Sequence, residues 1–141
     1  MADNIVLIIT VSIIVLLILP RFFKYYWIRF LLKKGGDTKG RMQNISGSDA
    51  KELIKNSSAV IIDVRTAGEF SAGHIPNAIH IPVSLLSSKA EDSLPDKSQK
   101  IILYCQTGMR SMQALYTLHS KGYTDLYNLG SIHSWAGDFE K

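Results

Sequence analysis

The residues with the clearest chemical potential lie in segment 105–111, which begins with the only cysteine of this 141-residue chain. Cys105 follows an apolar run, and Ser111 precedes a stretch with the apolar spacing of a helix. In an open α/β sheet, the turn from a strand to the next helix is where ligands usually bind. Backbone N–H groups of such a turn can bind an anion. Gly108 permits a backbone conformation that a larger residue would resist, and Arg110 adds a planar cation that can bind an oxyanion. We therefore expect Cys105 to be a reactive nucleophile, although a lone cysteine is more commonly an inert buried thiol.

A second group of charged residues is predicted to brace this loop. Asp63 and Arg65 stand at the end of another predicted strand, and Glu69 follows Arg65 by four residues. That spacing predicts an Arg65–Glu69 ion pair, with a structural role rather than a direct contact to substrate. We interpret His74 as a turn histidine that is held by backbone groups, not as a general base.

The numbers of cysteines and histidines exclude several kinds of site. One cysteine cannot form an internal disulfide, a CxxC redox pair or a thiolate zinc cluster. The four histidines fall at spacings unrelated to those of metal ligands. We therefore expect no metal site and no cofactor.

The elements that must position these groups alternate along the chain. Segments of strand length occupy residues 59–63, 78–81, 101–104 and 126–129. The first and the third are the apolar runs typical of strands buried on both faces. Capping signals and apolar spacing predict helices over residues 48–56, 83–90 and 111–120, and a final short helix after the last strand. Strands that alternate with helices predict an α/β fold with a parallel sheet.

The N-terminal part of the chain has a different composition. Residues 5–19 carry no charge, and aromatic and basic residues then continue to residue 32. Such flanks suit the headgroup region of a membrane, so we predict one transmembrane helix as an anchor over residues 1–32, a mobile linker over 33–47 and a folded domain over 48–141. A cleaved signal peptide fits less well, because no basic residue precedes the run and no small-residue cleavage site follows it. A buried core helix would not explain the aromatic and basic residues that follow the uncharged run.

The basic residues are concentrated beside this apolar segment. Seven of the sixteen lysines and arginines lie between Arg21 and Arg41, against the single acidic residue Asp37. A nucleic-acid-binding domain would spread its basic residues over a folded face, so we expect a lipid bilayer and not nucleic acid as a partner. The positive-inside rule then predicts a single-pass protein of the cell membrane whose folded domain is cytoplasmic.

Several short motifs occur together and in order: Asp63-Val64-Arg65, Glu69-Phe70, Gly73-His74-Ile75-Pro76-Asn77-Ala78, Cys105-Gln106-Thr107-Gly108-Met109-Arg110, Leu129-Gly130 and Trp135. As a set, which covers residues 45–137, they resemble the single-domain rhodaneses. The resemblance implies a five-stranded parallel sheet flanked by helices. It also implies sulfur transfer through a persulfide on Cys105, loaded by thiosulfate or a persulfide donor and unloaded by a thiol or cyanide.

The resemblance also assigns roles to the residues of the loop. Cys105 would be the catalytic residue, and the backbone of the loop would cradle the transferred sulfur. The expected substrate-binding residues are Gln106, Thr107, Gly108, Met109 and Arg110. The chain departs from the family pattern at Ser131, where a second glycine after Gly130 is common.

Two other functions remain open at this point. Phosphatases and arsenate reductases with a related loop place five residues between the cysteine and the arginine, whereas four lie between Cys105 and Arg110. The smaller ring suits a sulfur atom better than a phosphoryl group. A rhodanese-like module could also bind a partner at the membrane without catalysis, but inactive modules often lack the cysteine that this chain retains.

Overall fold

A computed structural model describes residues 41–141 of the protein. Its strands are β1 (Arg41–Asn44), β2 (Val60–Asp63), β3 (Ile79–His80), β4 (Lys100–Cys105) and β5 (Asp125–Ser131). Its helices are α1 (Gly47–Ser57), α2 (Ala67–Ala72), α3 (Val83–Ser93), α4 (Met109–Ser120) and a short 3₁₀ helix (Ile132–Ser134). All strand pairs are parallel, in the order β1-β5-β4-β2-β3. The predicted five-stranded parallel sheet is thus confirmed.

The central strand β4 buries side chains on both faces of the sheet. Ile101, Leu103 and Cys105 belong to the core that includes α3 and α4, whereas Ile102 and Tyr104 belong to the core that includes α1. All five side chains are fully buried. Because successive side chains of a strand point to opposite faces, a strand covered on both sides needs a continuous apolar run. The continuous apolar run of residues 101–104 therefore predicts β4 correctly.

Capping side chains determine where two of the helices begin. Ser46 accepts a hydrogen bond from the backbone N–H of Asp49, and the Asp49 carboxylate accepts one from the N–H of Ser46. Thr66 and Glu69 form the same reciprocal arrangement at the start of α2. Each capping box satisfies N–H groups that the first helical turn leaves without partners. The start of α2 at Ala67 also places Glu69 beside Arg110 of the loop over residues 105–111.

The predicted boundaries are wrong at several positions. Strand β1 pairs with β5 inside the segment predicted as a mobile linker, so residues 41–44 belong to the sheet. All four side chains of β1 are exposed, and an edge strand of this kind carries no apolar run. Helix α1 is capped by Ser46 and begins at Gly47 rather than at residue 48, and helix α3 extends to Ser93 rather than ending at residue 90. The short helix α2 was not predicted.

The predicted membrane anchor and the first part of the predicted linker lie outside the described residues. Within residues 41–141, no helix has both the length and the apolar character needed to cross a bilayer.

Candidate active site

The thiol of Cys105 lies at the C-terminal end of β4 and is fully buried. The backbone N–H of Gly108 donates a hydrogen bond to its Sγ atom across 3.1 Å. Burial alone would raise the pKa of this thiol. The N–H groups of Ser111, Gly108 and Thr107, together with the Ser111 hydroxyl, lower it by more, so the thiol pKa lies below its ordinary value. Directed N–H groups favour the thiolate in this way at other reactive cysteines.

The loop owes its shape to close contact with the end of β5. Gly108 has a φ of +100°, in the region that favours glycine, and a Cβ atom there would lie 3.6 Å from the Cα atom of Gly130. The Ser111 hydroxyl donates to the Gly108 carbonyl at 2.9 Å. The Ser131 hydroxyl donates to the Gln106 carbonyl at 2.8 Å. These two hydroxyls therefore hold the loop at both of its ends.

Ser111 and Ser131 are functional contacts that the sequence interpretation missed. In the sequence, Ser111 marks only the start of a helix, and Ser131 marks only a departure from the family pattern. The serine at position 131 was the sequence signal for this contact. A hydroxyl at a position usually occupied by glycine can donate a hydrogen bond that glycine cannot.

Arg65 lies at the end of β2 and holds the loop through its guanidinium group. Its Nε and Nη2 atoms donate to the Asp63 carboxylate at 2.7–3.1 Å, and Nη2 also donates to the Gly73 carbonyl at 2.7 Å. Its Nη1 atom donates to Oε1 of Gln106 at 3.2 Å. Burial lowers the pKa of Arg65, but the bonds to buried Asp63 raise it by more. Arg65 therefore keeps its positive charge inside the fold.

Arg110 is paired with Glu69 and not with a loop atom. Two parallel hydrogen bonds of 2.7 Å join its Nη1 and Nη2 atoms to the two carboxylate oxygens of Glu69. These bonds hold the pKa of Glu69 well below its ordinary value, because they stabilise the ionised carboxylate. The bonds to Glu69 raise the pKa of Arg110, and the negative charge of a Cys105 thiolate raises it further.

The predicted Arg65–Glu69 ion pair is therefore wrong. A spacing of four residues brings two side chains together only when both lie on one helix. Arg65 precedes the Thr66 cap and lies outside α2, so its side chain turns to Asp63 instead. Both residues still brace the loop, each with a different partner.

Two histidines stack on the ring of Phe70. His74 stacks on Phe70 with a centroid distance of 3.7 Å, and its Nδ1 atom lies 3.1 Å from the Phe70 carbonyl oxygen. His80 stacks on the same ring at 4.5 Å, and its Nε2 atom lies 2.9 Å from the Arg65 carbonyl oxygen. These contacts agree with the interpretation of His74 as a structural turn histidine.

A groove of about 440 Å³ runs along one side of the loop. It shares Arg65, Glu69 and Gln106 with the surroundings of the loop, and its outer wall is formed by Gly73, Ile132, His133, Phe139 and Lys141. The Nε2 atom of Gln106 lies 3.1 Å from Nε2 of His133. Since Arg65 can only donate to Oε1 of Gln106, the amide nitrogen of Gln106 is left to donate to Nε2 of His133. Within residues 41–141, His, Cys, Asp and Glu side chains form no group of three that could hold a metal ion.

Comparison of the sequence with known protein families identifies the family of this chain. Residues 46–138 match the rhodanese-like domain family. The chain belongs to the rhodanese family. It is 42% identical over 80 residues to the uncharacterized Bacillus subtilis protein YqhL, a match that spans 56% of this chain and 62% of that relative. It is 34% identical over 92 residues to a sulfurtransferase of Allochromatium vinosum, across 64% of this chain and 84% of the relative.

A solved structure of a human single-domain sulfurtransferase is also similar. Its sequence is 32% identical, its TM-score is 0.58, and the match covers 65% of this chain and 93% of that protein. Membership of this family supports sulfur transfer in general terms. The resemblance stated from the sequence motifs is thereby confirmed for the rhodanese domain.

The structure brings all of the predicted site residues to one edge of the sheet. Cys105, Gln106, Thr107 and Gly108 end β4 and form the turn, and α4 starts with Met109 and Arg110. Asp63 ends the neighbouring strand β2, and Arg65 and Glu69 follow it. The side chain of Met109 is 78% exposed, so Met109 lies at the rim rather than in the ring around the sulfur.

Proposed function

We propose that the protein is a sulfurtransferase that carries sulfane sulfur as a persulfide on Cys105. The donor is thiosulfate or a persulfide, and the acceptor is a thiol or cyanide. The observation that carries the proposal is the buried Cys105 thiol at the end of β4, with the Gly108 N–H donating to its sulfur at 3.1 Å. This N–H and those of Thr107 and Ser111 lower the thiol pKa. These groups stabilise the thiolate before the reaction and the terminal sulfur of the persulfide after it.

The proposed reaction has two displacement steps. The Cys105 thiolate attacks the sulfane sulfur of the donor, the S–S bond of the donor breaks, and its electron pair leaves with sulfite or a thiolate. An acceptor thiolate or cyanide then attacks the outer sulfur of the Cys105 persulfide, and the cysteine thiolate returns. Because Cys105 is the only cysteine of the chain, no second thiol of the same chain can resolve the persulfide as a disulfide.

The size of the loop supports sulfur transfer over phosphoryl or arsenate chemistry. Only four residues separate Cys105 from Arg110, and the Arg110 guanidinium is held by two bonds to Glu69. A phosphoryl group has three oxygens that each need donors, and a bidentate arginine is a common source of them. A single sulfur atom needs only the backbone N–H groups of the turn.

A rhodanese-like module that binds a partner without catalysis is the second candidate. The geometry of the loop does not favour this candidate, because the loop keeps a buried thiol with a lowered pKa. Intact-mass spectrometry of the purified full chain, before and after thiosulfate, discriminates the two. We expect one added sulfur atom on wild type and none on Cys105→Ser, since serine cannot form a persulfide. Wild type without added sulfur from thiosulfate or a persulfide donor would refute sulfur transfer.

Cyanide completes this experiment as a test of turnover. Addition of cyanide to the loaded protein should remove the extra mass and release thiocyanate in an equal amount. Cys105→Ser serves as the matched control, because the hydroxyl preserves the size and shape of the side chain in the buried position. Thiocyanate formation by Cys105→Ser near the wild-type rate would remove Cys105 from its proposed role.

We also propose that residues 1–32 anchor the protein in the cell membrane with the rhodanese domain in the cytoplasm. Support comes from the uncharged run over residues 5–19 and from the basic cluster that follows it. A protease added to spheroplasts should leave the domain intact, and detergent should expose it to digestion. Digestion in intact spheroplasts would refute the orientation, and recovery of the full chain in the soluble fraction would refute the anchor.

A further inference from the structure

The two arginines that border the loop are already bound to carboxylates. Arg65 binds both oxygens of Asp63, and its side chain is only 4% exposed. Arg110 binds both oxygens of Glu69, and these two side chains are about 30% exposed. The low pKa of Glu69 means that this carboxylate stays ionised at neutral pH. The charge that each arginine would offer to an anionic substrate is therefore balanced before the substrate arrives.

This pairing has different consequences for the two classes of sulfur donor. Thiosulfate brings two negative charges to the reacting sulfur, toward a thiolate that is itself negative. An organic persulfide brings at most one charge to its reacting end, and the rest of the molecule can bind elsewhere. Without an unbalanced guanidinium, repulsion between like charges opposes thiosulfate more strongly than it opposes a persulfide.

The groove beside the loop offers a place for the organic part of such a donor. Its volume of about 440 Å³ lies within the range of small-molecule sites. Ile132 and Phe139 supply apolar surface, and the Phe139 side chain is 50% exposed. Lys141 lies at the same groove and is complementary to a carboxylate on the donor. Glu69 and Gln106 connect the groove to the loop that holds the sulfur.

We propose that the preferred sulfur donor is a small organic persulfide bearing a carboxylate, and that Glu69 selects it over thiosulfate by balancing the charge of Arg110. This inference rests on the proposed function and specifies its donor. The Cys105 thiolate attacks the outer sulfur of R–S–SH, and the bond between the two donor sulfurs breaks. The electron pair leaves on R–S⁻, which takes up a proton from water, and Cys105 keeps the outer sulfur. No oxidant or reductant is consumed.

The test compares two donors on the purified full chain. The rate constant for adding one sulfur to Cys105 is measured by rapid quench and intact mass, with thiosulfate and with the persulfide of N-acetylcysteine. Glu69→Gln is the informative variant, because glutamine at this position can still accept the N–H of Thr66 and keep the capping box. Glu91→Gln is the matched control, since it removes an exposed carboxylate that binds Lys97 outside the site.

We expect wild type to load faster from the persulfide than from thiosulfate. Glu69→Gln should raise the ratio of thiosulfate to persulfide rate constants by about tenfold, since the freed Arg110 gains a charge-assisted bond to the dianion at a partly exposed position. The double variant Glu69→Gln, Arg110→Ala should lose this gain. Glu91→Gln should leave the ratio at its wild-type value.

A second variant tests the groove. Phe139→Ala should lower the rate constant for the persulfide several-fold more than that for thiosulfate, which has no organic part to bind there. An unchanged or lower ratio in Glu69→Gln would overturn the role of Glu69, and equal effects of Phe139→Ala on both donors would overturn the role of the groove. Wild type that accepts sulfur from neither donor would instead refute the proposed function itself.

Discussion

Gly108 links the backbone conformation of the loop to the ionisation of Cys105, and Gly108→Ala tests this link. The residue has a φ of +100°, and its N–H donates to the sulfur at 3.1 Å. A Cβ atom at Gly108 would meet its nearest neighbour, the Cα atom of Gly130, at 3.6 Å, which is an ordinary contact. The cost of the substitution is therefore conformational, about 1–2 kcal/mol for a left-handed residue that is not glycine.

We expect the chain to relieve this strain by turning the peptide at Gly108. Such a turn moves the N–H away from Sγ and removes one of the hydrogen bonds that lower the thiol pKa. We expect the thiol pKa to rise toward its ordinary value. A hydrogen bond to a charged partner contributes about 1.5–3 kcal/mol, so sulfur loading should slow by at least about tenfold at neutral pH.

Gly122→Ala is the matched control for Gly108→Ala. Gly122 has a φ of +89°, and the nearest atom to its added Cβ is Cδ of Lys97 at 3.9 Å. Alanine there meets the same backbone strain at the C-terminal end of α4, away from Cys105. Both variants should lose similar free energy of unfolding in denaturant titrations. Only Gly108→Ala should change the thiol.

Thiolate absorbance against pH reports the ionisation of Cys105 directly, because the chain has no other thiol. Intact mass after thiosulfate reports the loading rate of the same samples. The reasoning fails if Gly108→Ala loses stability like Gly122→Ala while its thiolate titration and loading rate superimpose on wild type. In that case the other N–H groups of the loop alone would set the thiol pKa.

Three further predictions concern the residues around the loop. Arg110→Ala leaves the Glu69 carboxylate unbalanced near the sulfur, so the thiol pKa should rise and thiosulfate loading should fall by about tenfold in single-turnover kinetics. Superimposed thiolate titrations of variant and wild type would contradict this. Ser131→Ala removes the hydroxyl that holds the Gln106 carbonyl, and should cost about 1 kcal/mol of unfolding free energy in urea; an unchanged midpoint and slope would show that the loop does not depend on it. Glu69 has a lowered pKa in the folded protein, so its contribution to stability is present above its ordinary pKa of 4.5 and is lost as pH falls below it. Glu69→Gln should therefore lose less stability than wild type between pH 5 and acid unfolding, measured by thermal melts, and equal losses would count against the ion pair.

Sequence alone identified those parts of the fold whose determinants are local. The runs of β2 and β4 are continuous and apolar because both faces of a central parallel strand are covered. The turn from Cys105 to Ser111 combines a cysteine, a glycine and an arginine within one short segment, so its chemistry could be inferred from neighbouring residues. The order of the motifs identified the family for the same reason, since each motif is a short stretch of adjacent residues.

Sequence did not identify the elements whose stability comes from distant partners. Strand β1 is polar and exposed, and only its pairing with β5, more than eighty residues later, makes it a strand. The position of the Thr66 cap moved Arg65 off the helix that carries Glu69, and so changed the partner that four-residue spacing predicted. Helix boundaries depend on one or two hydrogen bonds, which small changes in the surrounding fold can alter.

The charge balance of the candidate site was decided by tertiary structure alone. Glu69 and Arg110 lie 41 residues apart, and their side chains meet because parallel strands β2 and β4 end at the same edge of the sheet. Ser131 reaches the Gln106 carbonyl in the same way, from the end of β5. Sequence determined that a stabilised thiol would stand at the end of a central strand. Only the folded sheet determined which charges surround it, because the Coulomb energy depends on distance in space and not on separation along the chain.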